Sequence, residues 1–140
     1  MKKFAEKLKS GSFVVTSELN PPKGTNLEDL LEKAKKLNGI VDAFNITDSH
    51  ASRMAMSPLA PAHILLDHRI EPILQMACRD KNRIALQSDV LSASALGVSN
   101  ILCMTGDHPS TGDHPEAKPV FDLKAIALLK AFSSLTHGKD

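Results

Sequence analysis

Asn100-Ile-Leu-Cys-Met-Thr-Gly-Asp107 sets a short apolar run against an abrupt polar ending, then opens into a Pro-, Gly- and His-rich loop reaching Pro119. The run reads as a strand, and Asp107 sits where that strand emerges. A carboxylate at such a mouth is partly desolvated, and it can hold a ligand or stabilise a developing positive charge. Three earlier segments end the same way. Phe13 to Glu18, with β-branched Val14, Val15 and Thr16, reads as a strand ending in Glu18. Asp42 to Ile46 runs into Thr47 and Asp48. Pro72 to Cys78 is nearly continuously apolar, as a parallel strand covered on both faces should be; it carries Gln75 and runs into Arg79 and Asp80.

Helical periods separate these strands. Thr25-Asn-Leu-Glu28 fits a capping box, Leu27, Leu30, Leu31, Ala34 and Leu37 keep helical spacing, and Gly39 marks the stop. A second helix lies within Pro58 to His68; Pro61 would remove an early helical hydrogen bond, which moves the expected start toward Ala60. A third runs from about Asn82 to Leu96 and stops at Gly97, with Ser92, Ala93, Ser94 and Ala95 small enough for close approach to a sheet. Asp122 is the expected cap of a fourth helix bearing Ala125, Leu128, Leu129 and Phe132. Met1 to Lys9 reads as a short charged amphipathic helix without the apolar core of a signal peptide. The regular alternation gives an α/β fold, a parallel β/α repeat of about four units with right-handed crossovers. Four units are half of an eight-fold barrel or a small open sheet, and periodicity does not separate the two.

The 140 residues form a single expected domain, 1–140, short of the roughly 250 of a closed α/β barrel. No composition break suggests a linker. Trp and Tyr are absent, only five Phe occur and the net charge is +1, which argues against stacking on bases and against nucleic-acid binding. No apolar run approaches the roughly 20 residues of a membrane span. Cys78 and Cys103 lack CxxC spacing and read as reduced core thiols of a cytoplasmic protein.

Glu18, Thr47 with Asp48, Gln75 with Arg79 and Asp80, and Thr105-Gly106-Asp107 share the carboxyl rim of a parallel sheet, where α/β folds gather their ligands. Glu18 precedes the stiff Asn20-Pro21-Pro22 turn; a desolvated carboxyl there suits general-acid work, while the plainer reading pairs it with Lys23. His108, Asp113 and His114 match no metal-ligand spacing, so no metal is expected. Arg79-Asp-Lys-Asn-Arg83 reads as a solvated charge run with internal pairing, with phosphate binding near a helix start as the other reading.

Taken together, Thr16-Ser-Glu-Leu-Asn-Pro-Pro-Lys-Gly24, Phe44-Asn-Ile-Thr-Asp-Ser49, Gln75-Met-Ala-Cys-Arg-Asp-Lys-Asn-Arg83, Leu102-Cys-Met-Thr-Gly-Asp107 and Gly112-Asp-His-Pro-Glu-Ala-Lys-Pro-Val-Phe-Asp122 resemble methylenetetrahydrofolate reductase, from about Phe13 to the last helix. The closer likeness is to a bacterial branch with Arg-Asp-x-Asn-Arg after the third strand. The resemblance implies half of a TIM (β/α)8 barrel bearing FAD, with FMN as the alternative. It implies an enzyme of one-carbon metabolism that reduces 5,10-methylenetetrahydrofolate to 5-methyltetrahydrofolate with NAD(P)H. By motif, Glu18 matches the general acid and Asp107 the aspartate beside flavin and pterin. Thr47, Gln75, Thr105, Gly106, Asp107 and Val120 match positions lining the flavin, although His is frequent at the position of Gln75 and Arg at that of Thr105.

The same resemblance makes the chain the N-terminal half of a reductase, with open strand edges inviting a homo-oligomer or a complementing C-terminal half. Folate is the implied substrate. The rival expectations are a flavin-free, pterin-binding barrel methyltransferase and a non-catalytic half-barrel interaction module.

Overall fold

A computed structural model describes residues 4–138, so Met1, Lys2 and Lys3 of the expected N-terminal helix lie outside the described residues. Thr16–Leu19 (β1), Ala43–Ile46 (β2), Pro72–Ala77 (β3) and Ile101–Met104 (β4) form one parallel sheet whose spatial order repeats their chain order. Phe4–Lys9 (α1) precedes it, and Glu28–Leu37 (α2), Leu59–Asp67 (α3), Arg83–Ala95 (α4) and Ala125–Thr136 (α5) alternate with and follow the strands. The expected parallel β/α repeat is therefore present. No helix among the described residues is long and apolar enough to cross a membrane.

Register sorts the strand residues onto two faces. Leu19, Ile46, Leu74 and Ile101 are laterally paired, as are Met76 and Cys103. This face packs on Leu30 and Ala34 of α2, Ala62 and Leu65 of α3, Leu86 and Ala93 of α4, and Leu128 and Phe132 of α5, in one core cluster. Every crossover helix thus buries its apolar stripe against the same side of the sheet. The other face carries Glu18 beside Asn45, Asn45 beside Ile73, Gln75 beside Leu102 and Ala77 beside Met104. Its character is mixed, and Leu102 is 42% exposed there.

β1 starts three residues later than expected, at Thr16, where its ladder with β2 begins. The β2 ladder begins with Ala43 opposite Thr16, and Phe13 is left 89% exposed. Asp42 fastens the approach, accepting from Val15 N at 3.0 Å and donating its own N–H to Val15 O at 2.7 Å, and it also pairs with Lys7 of α1. α3 starts at Leu59, and its first bond runs from Ala62 N to Pro58 O, so Pro61 falls in the first turn, where a missing donor breaks nothing. The glycine stops after α2 and α4 stand, with φ of +89° at Gly39 and +86° at Gly97.

The caps differ from expectation. Asn26, not Thr25, accepts from Glu28 N at 2.8 Å, and its amide reaches Glu28 Oε2. Asp122 does not cap α5; it receives Arg83 N, Nε and one terminal guanidinium nitrogen, each at 2.9 Å, at the start of α4. The hydroxyl of Thr105 caps α5 instead, accepting from Ala125 N at 3.2 Å. Of the four small residues in α4 only Ala93 is buried; Ser92, Ala95 and Ser94 are exposed. The charge run after β3 is not uniformly solvated either. Lys81 pairs with Asp89 and Asn82 caps α4, but Arg79 is 3% exposed.

Leu65 is fully buried in this core. Leu65→Ala is expected to cost about 2–5 kcal/mol, read as a lower urea midpoint at unchanged slope. A second prediction concerns acid. The hydrogen bond from the Arg83 guanidinium, aided by Arg83 N, holds Asp122 at about 2 against its ordinary 3.8. A depressed carboxyl stabilises the fold above its unfolded value, and that contribution is lost as pH falls from about 4 toward 2. Asp122→Asn should therefore lower the Tm at pH 7 and converge with the parent chain near pH 2 in a pH series of thermal melts.

Candidate functional site

The carboxyl ends of all four strands surround one cavity of about 320 Å³. From β1 comes Glu18, its side chain 48% exposed at the mouth, with Oε1 4.0 Å from His50 Nδ1. The desolvated setting expected for this carboxyl is therefore absent, and Glu18 stands half-exposed on an edge strand. Nor does Lys23 pair with it; Lys23 pairs with Asp113.

β2 delivers Asp48 and then a tight arch. Ser49, Ala51 and Ser52 have φ of 51°, 53° and 56°, left-handed conformations that cost non-glycine residues roughly 1–2 kcal/mol each. Asp48 is 8% exposed and its Oδ2 accepts from Ala77 N at 2.9 Å. Burial pushes its carboxyl above the ordinary 3.8, against the opposing pull of the Ala77 N–H and of the Lys81 and Arg79 charges.

β3 supplies Gln75, 8% exposed, and then Arg79. The Arg79 guanidinium spans the strand-end loops. It forks onto Asp80 at 2.7–3.0 Å and donates to Asp48 O and Ser49 O, both at 3.3 Å, and to Ser52 Oγ at 3.4 Å. Burial opposes its charge, but the Asp80 hydrogen bond and the Asp80, Asp48 and Asp107 charges raise the guanidinium above its ordinary value. Ser52 Oγ then donates to Asp107 O at 2.8 Å, tying the arch to the loop after β4.

β4 brings Met104, Gly106 and Asp107. Gly106 has φ +88°, and a Cβ there would stand 3.1 Å from Arg79 Cβ and 3.2 Å from Ala77 Cβ. Only glycine fits that conformation without strain. Gly112 is equally required, since a methyl group there would overlap the Ser52 carbonyl.

Of the residues expected at the site, Glu18, Gln75, Gly106 and Asp107 line this cavity together. Thr47 is buried beside it, donating to Asn20 Oδ1 at 2.8 Å and facing a smaller hollow of about 190 Å³. Thr105 is spent on the α5 cap, and Val120, 44% exposed, donates its N–H to Arg79 O at 2.8 Å outside the cavity. His50 carried no signal in the sequence, and the burial of Arg79 was hidden in a run of charges. One clue existed: the apolar run Met76-Ala-Cys78 enters Arg79 with no turn residue between.

His108, Asp113 and His114 do not converge. His108 stacks on Phe121 with ring centres 6.2 Å apart, Asp113 pairs with Lys23 and Met54 N, and His114 lies 3.8 Å from Glu116. Among the described residues no group of three or more His, Cys, Asp or Glu side chains is arranged to hold a metal ion. A larger groove of about 470 Å³ runs between α4, β4 and α5, but no carboxylate or cationic side chain lines it. Chemistry that needs charge therefore belongs at the strand ends.

This cavity presents three carboxyl groups, an amide, an imidazole and a glycine cradle at the rim of a parallel sheet. Comparison with known proteins gives an independent result. A search of curated proteins finds no match, whereas the family model described as methylenetetrahydrofolate reductase matches residues 3–135. That match covers nearly the whole sequence and the entire sheet, and with it the chain belongs to the methylenetetrahydrofolate reductase family.

Proposed function

We propose that this chain forms the flavin- and folate-facing part of a reductase that converts 5,10-methylenetetrahydrofolate to 5-methyltetrahydrofolate with NAD(P)H, using FAD or, as the alternative, FMN. The observation that carries this reading is the convergence of Glu18, Gln75, Gly106 and Asp107, from three strands, on one cavity in a chain of this family. The residues present suit a flat ring. Gly106 removes the side chain that would otherwise occupy the floor, and Gln75 supplies a buried amide to a ring edge.

We also read the sheet as half of an eight-stranded barrel. Strands that add in chain order, joined by right-handed crossovers, place every helix on one side, and a sheet wound in that single sense covers its other side by curling closed. The outer edges of β1 and β4 are where the remaining strands would pair.

A flavin held here beside Gln75 and Gly106 would supply hydride transfer from NAD(P)H to the folate. The chain's own residues act around that transfer. Glu18 stands at the water-exposed mouth, where it can give a proton to the folate nitrogen as the five-membered ring opens. Asp107 carries negative charge toward the same space and would stabilise the cationic iminium form of the substrate that accepts the hydride. Arg79 and Ser52 hold Asp107 in place through its backbone.

The test uses a barrel completed with a related C-terminal half. Glu18→Gln is expected to leave flavin binding and flavin reduction by NAD(P)H intact and to slow folate reduction by roughly a hundredfold or more. The two half-reactions are followed separately by stopped-flow absorbance of the flavin. Full-rate folate reduction in the variant would remove Glu18 from the acid role, and a colourless protein after flavin addition would remove the flavin reading itself.

A further inference from the structure

Two strand edges of this sheet are open, and they match. β1 and β4 are each four residues long, run in the same direction and end the sheet on opposite sides. Leu19 O accepts from Thr47 N, so the Leu19 backbone faces β2; by alternation Thr16 and Glu18 turn their N–H and C=O groups onto the open edge. Met104 O accepts from Cys78 N, so Ile101 and Cys103 do the same on the far side. Soluble proteins guard such edges with Lys, Pro or a bulge; Ile101–Met104 has none of these, and Thr16–Leu19 offers only Glu18. Beyond β4, α5 exposes Ile126 and Leu129. The charges of α5, Lys130 and Lys124 at its cap, are all positive, whereas α2 opens with Glu28 and Asp29, both exposed. On the other face of the sheet Leu102 lies open as well.

We propose that a second copy of this chain covers these surfaces, with β4 of each copy pairing in parallel with β1 of its partner, so that two chains close one eight-stranded barrel about a two-fold axis. This rests on the half-barrel reading above and names the partner. Of the self-pairings open to the sheet, only β4 with the partner's β1 keeps every strand parallel and every helix on one side. It joins edges of equal length, and applied twice it leaves no edge exposed. In the closed form α5 lies between β4 and the partner's β1, beside the partner's α2. Lys124 and Lys130 there meet the acidic start of that helix. Leu102 turns into a packed barrel interior. Glu18 of each copy then stands next to the loop after the partner's β4, so that both copies wall each strand-end cavity.

The test is size-exclusion chromatography of the full chain with light scattering, over a concentration series. A discrete dimer of twice the chain mass is expected, with no larger species. Thr16→Pro removes an N–H that faces only the open edge, at the first residue of the strand, where a single copy tolerates proline. The variant should keep the circular dichroism of the parent chain and raise the dimer dissociation constant about tenfold or more. Lys124→Glu should weaken the dimer by a similar factor, and adding Asp29→Lys to the same chain should restore it.

A folded monomer throughout the series overturns the self-pairing. If that monomer takes up a related C-terminal half, the half-barrel reading stands; if it does not, both fall. A dimer that Thr16→Pro leaves unchanged, or an open-ended series of larger species, puts the contact elsewhere and overturns the proposal. Should Thr16→Pro not fold, loss with Lys124→Glu and rescue by Asp29→Lys decide alone.

Discussion

The Arg79 guanidinium, with a side chain only 4% exposed, is the interaction on which the strand-end architecture depends. It reaches carbonyls from the arch after β2, the carboxylate beside it after β3, and through Ser52 the backbone of Asp107 after β4. Hydrogen bonds made by a charged donor contribute about 1.5–3 kcal/mol each when well formed, and the longer ones here less. Several of them offset the cost of three left-handed residues in Ser49–Ser52. Without that cation the Asp48 and Ser49 carbonyls of the arch would lose their shared donor, and Ser52 would lose a partner beside the loop after β4.

Charge within the cavity is unbalanced by design of the fold rather than by composition. The whole chain carries a net +1, yet Glu18, Asp48 and Asp107 converge on a space whose one guanidinium is already engaged. Such a space repels anions and favours N–H donors or a transient cation. Under the proposed reductase reading, that preference would suit the side of a folate where positive charge develops. The acidic groups come from different strand ends, so they face that space from different sides.

Much of this was legible in the sequence, for a physical reason. Helix stripes such as Leu30 and Ala34, strand runs such as Pro72–Ala77 and glycine stops such as Gly97 are set by short-range periodicity and backbone freedom. The strand-end positions of Glu18, Gln75, Gly106 and Asp107 followed from them. Caps were not legible, since Thr105 reaches Ala125 across 20 residues and Asp122 reaches Arg83 across 39. Which donor a polar side chain meets at that separation is decided by tertiary geometry. Arg79 looked solvated because its neighbours Asp80, Lys81 and Arg83 are charged, and its burial depends on loops 27 to 31 residues away. Glu18 differs in the opposite sense: its neighbours suggested shelter, but its side chain stands about half exposed at the cavity mouth.

The Ser52–Asp107 tie spans 55 residues of chain and joins the arch after β2 to the loop after β4. Closing so long a loop costs chain entropy, which the ordering of β2, β3 and β4 between the two ends already meets. A single hydroxyl thus couples two strand ends that are not neighbours in the sheet. A small molecule bridging the arch and the β4 loop would favour that closed rim by mass action.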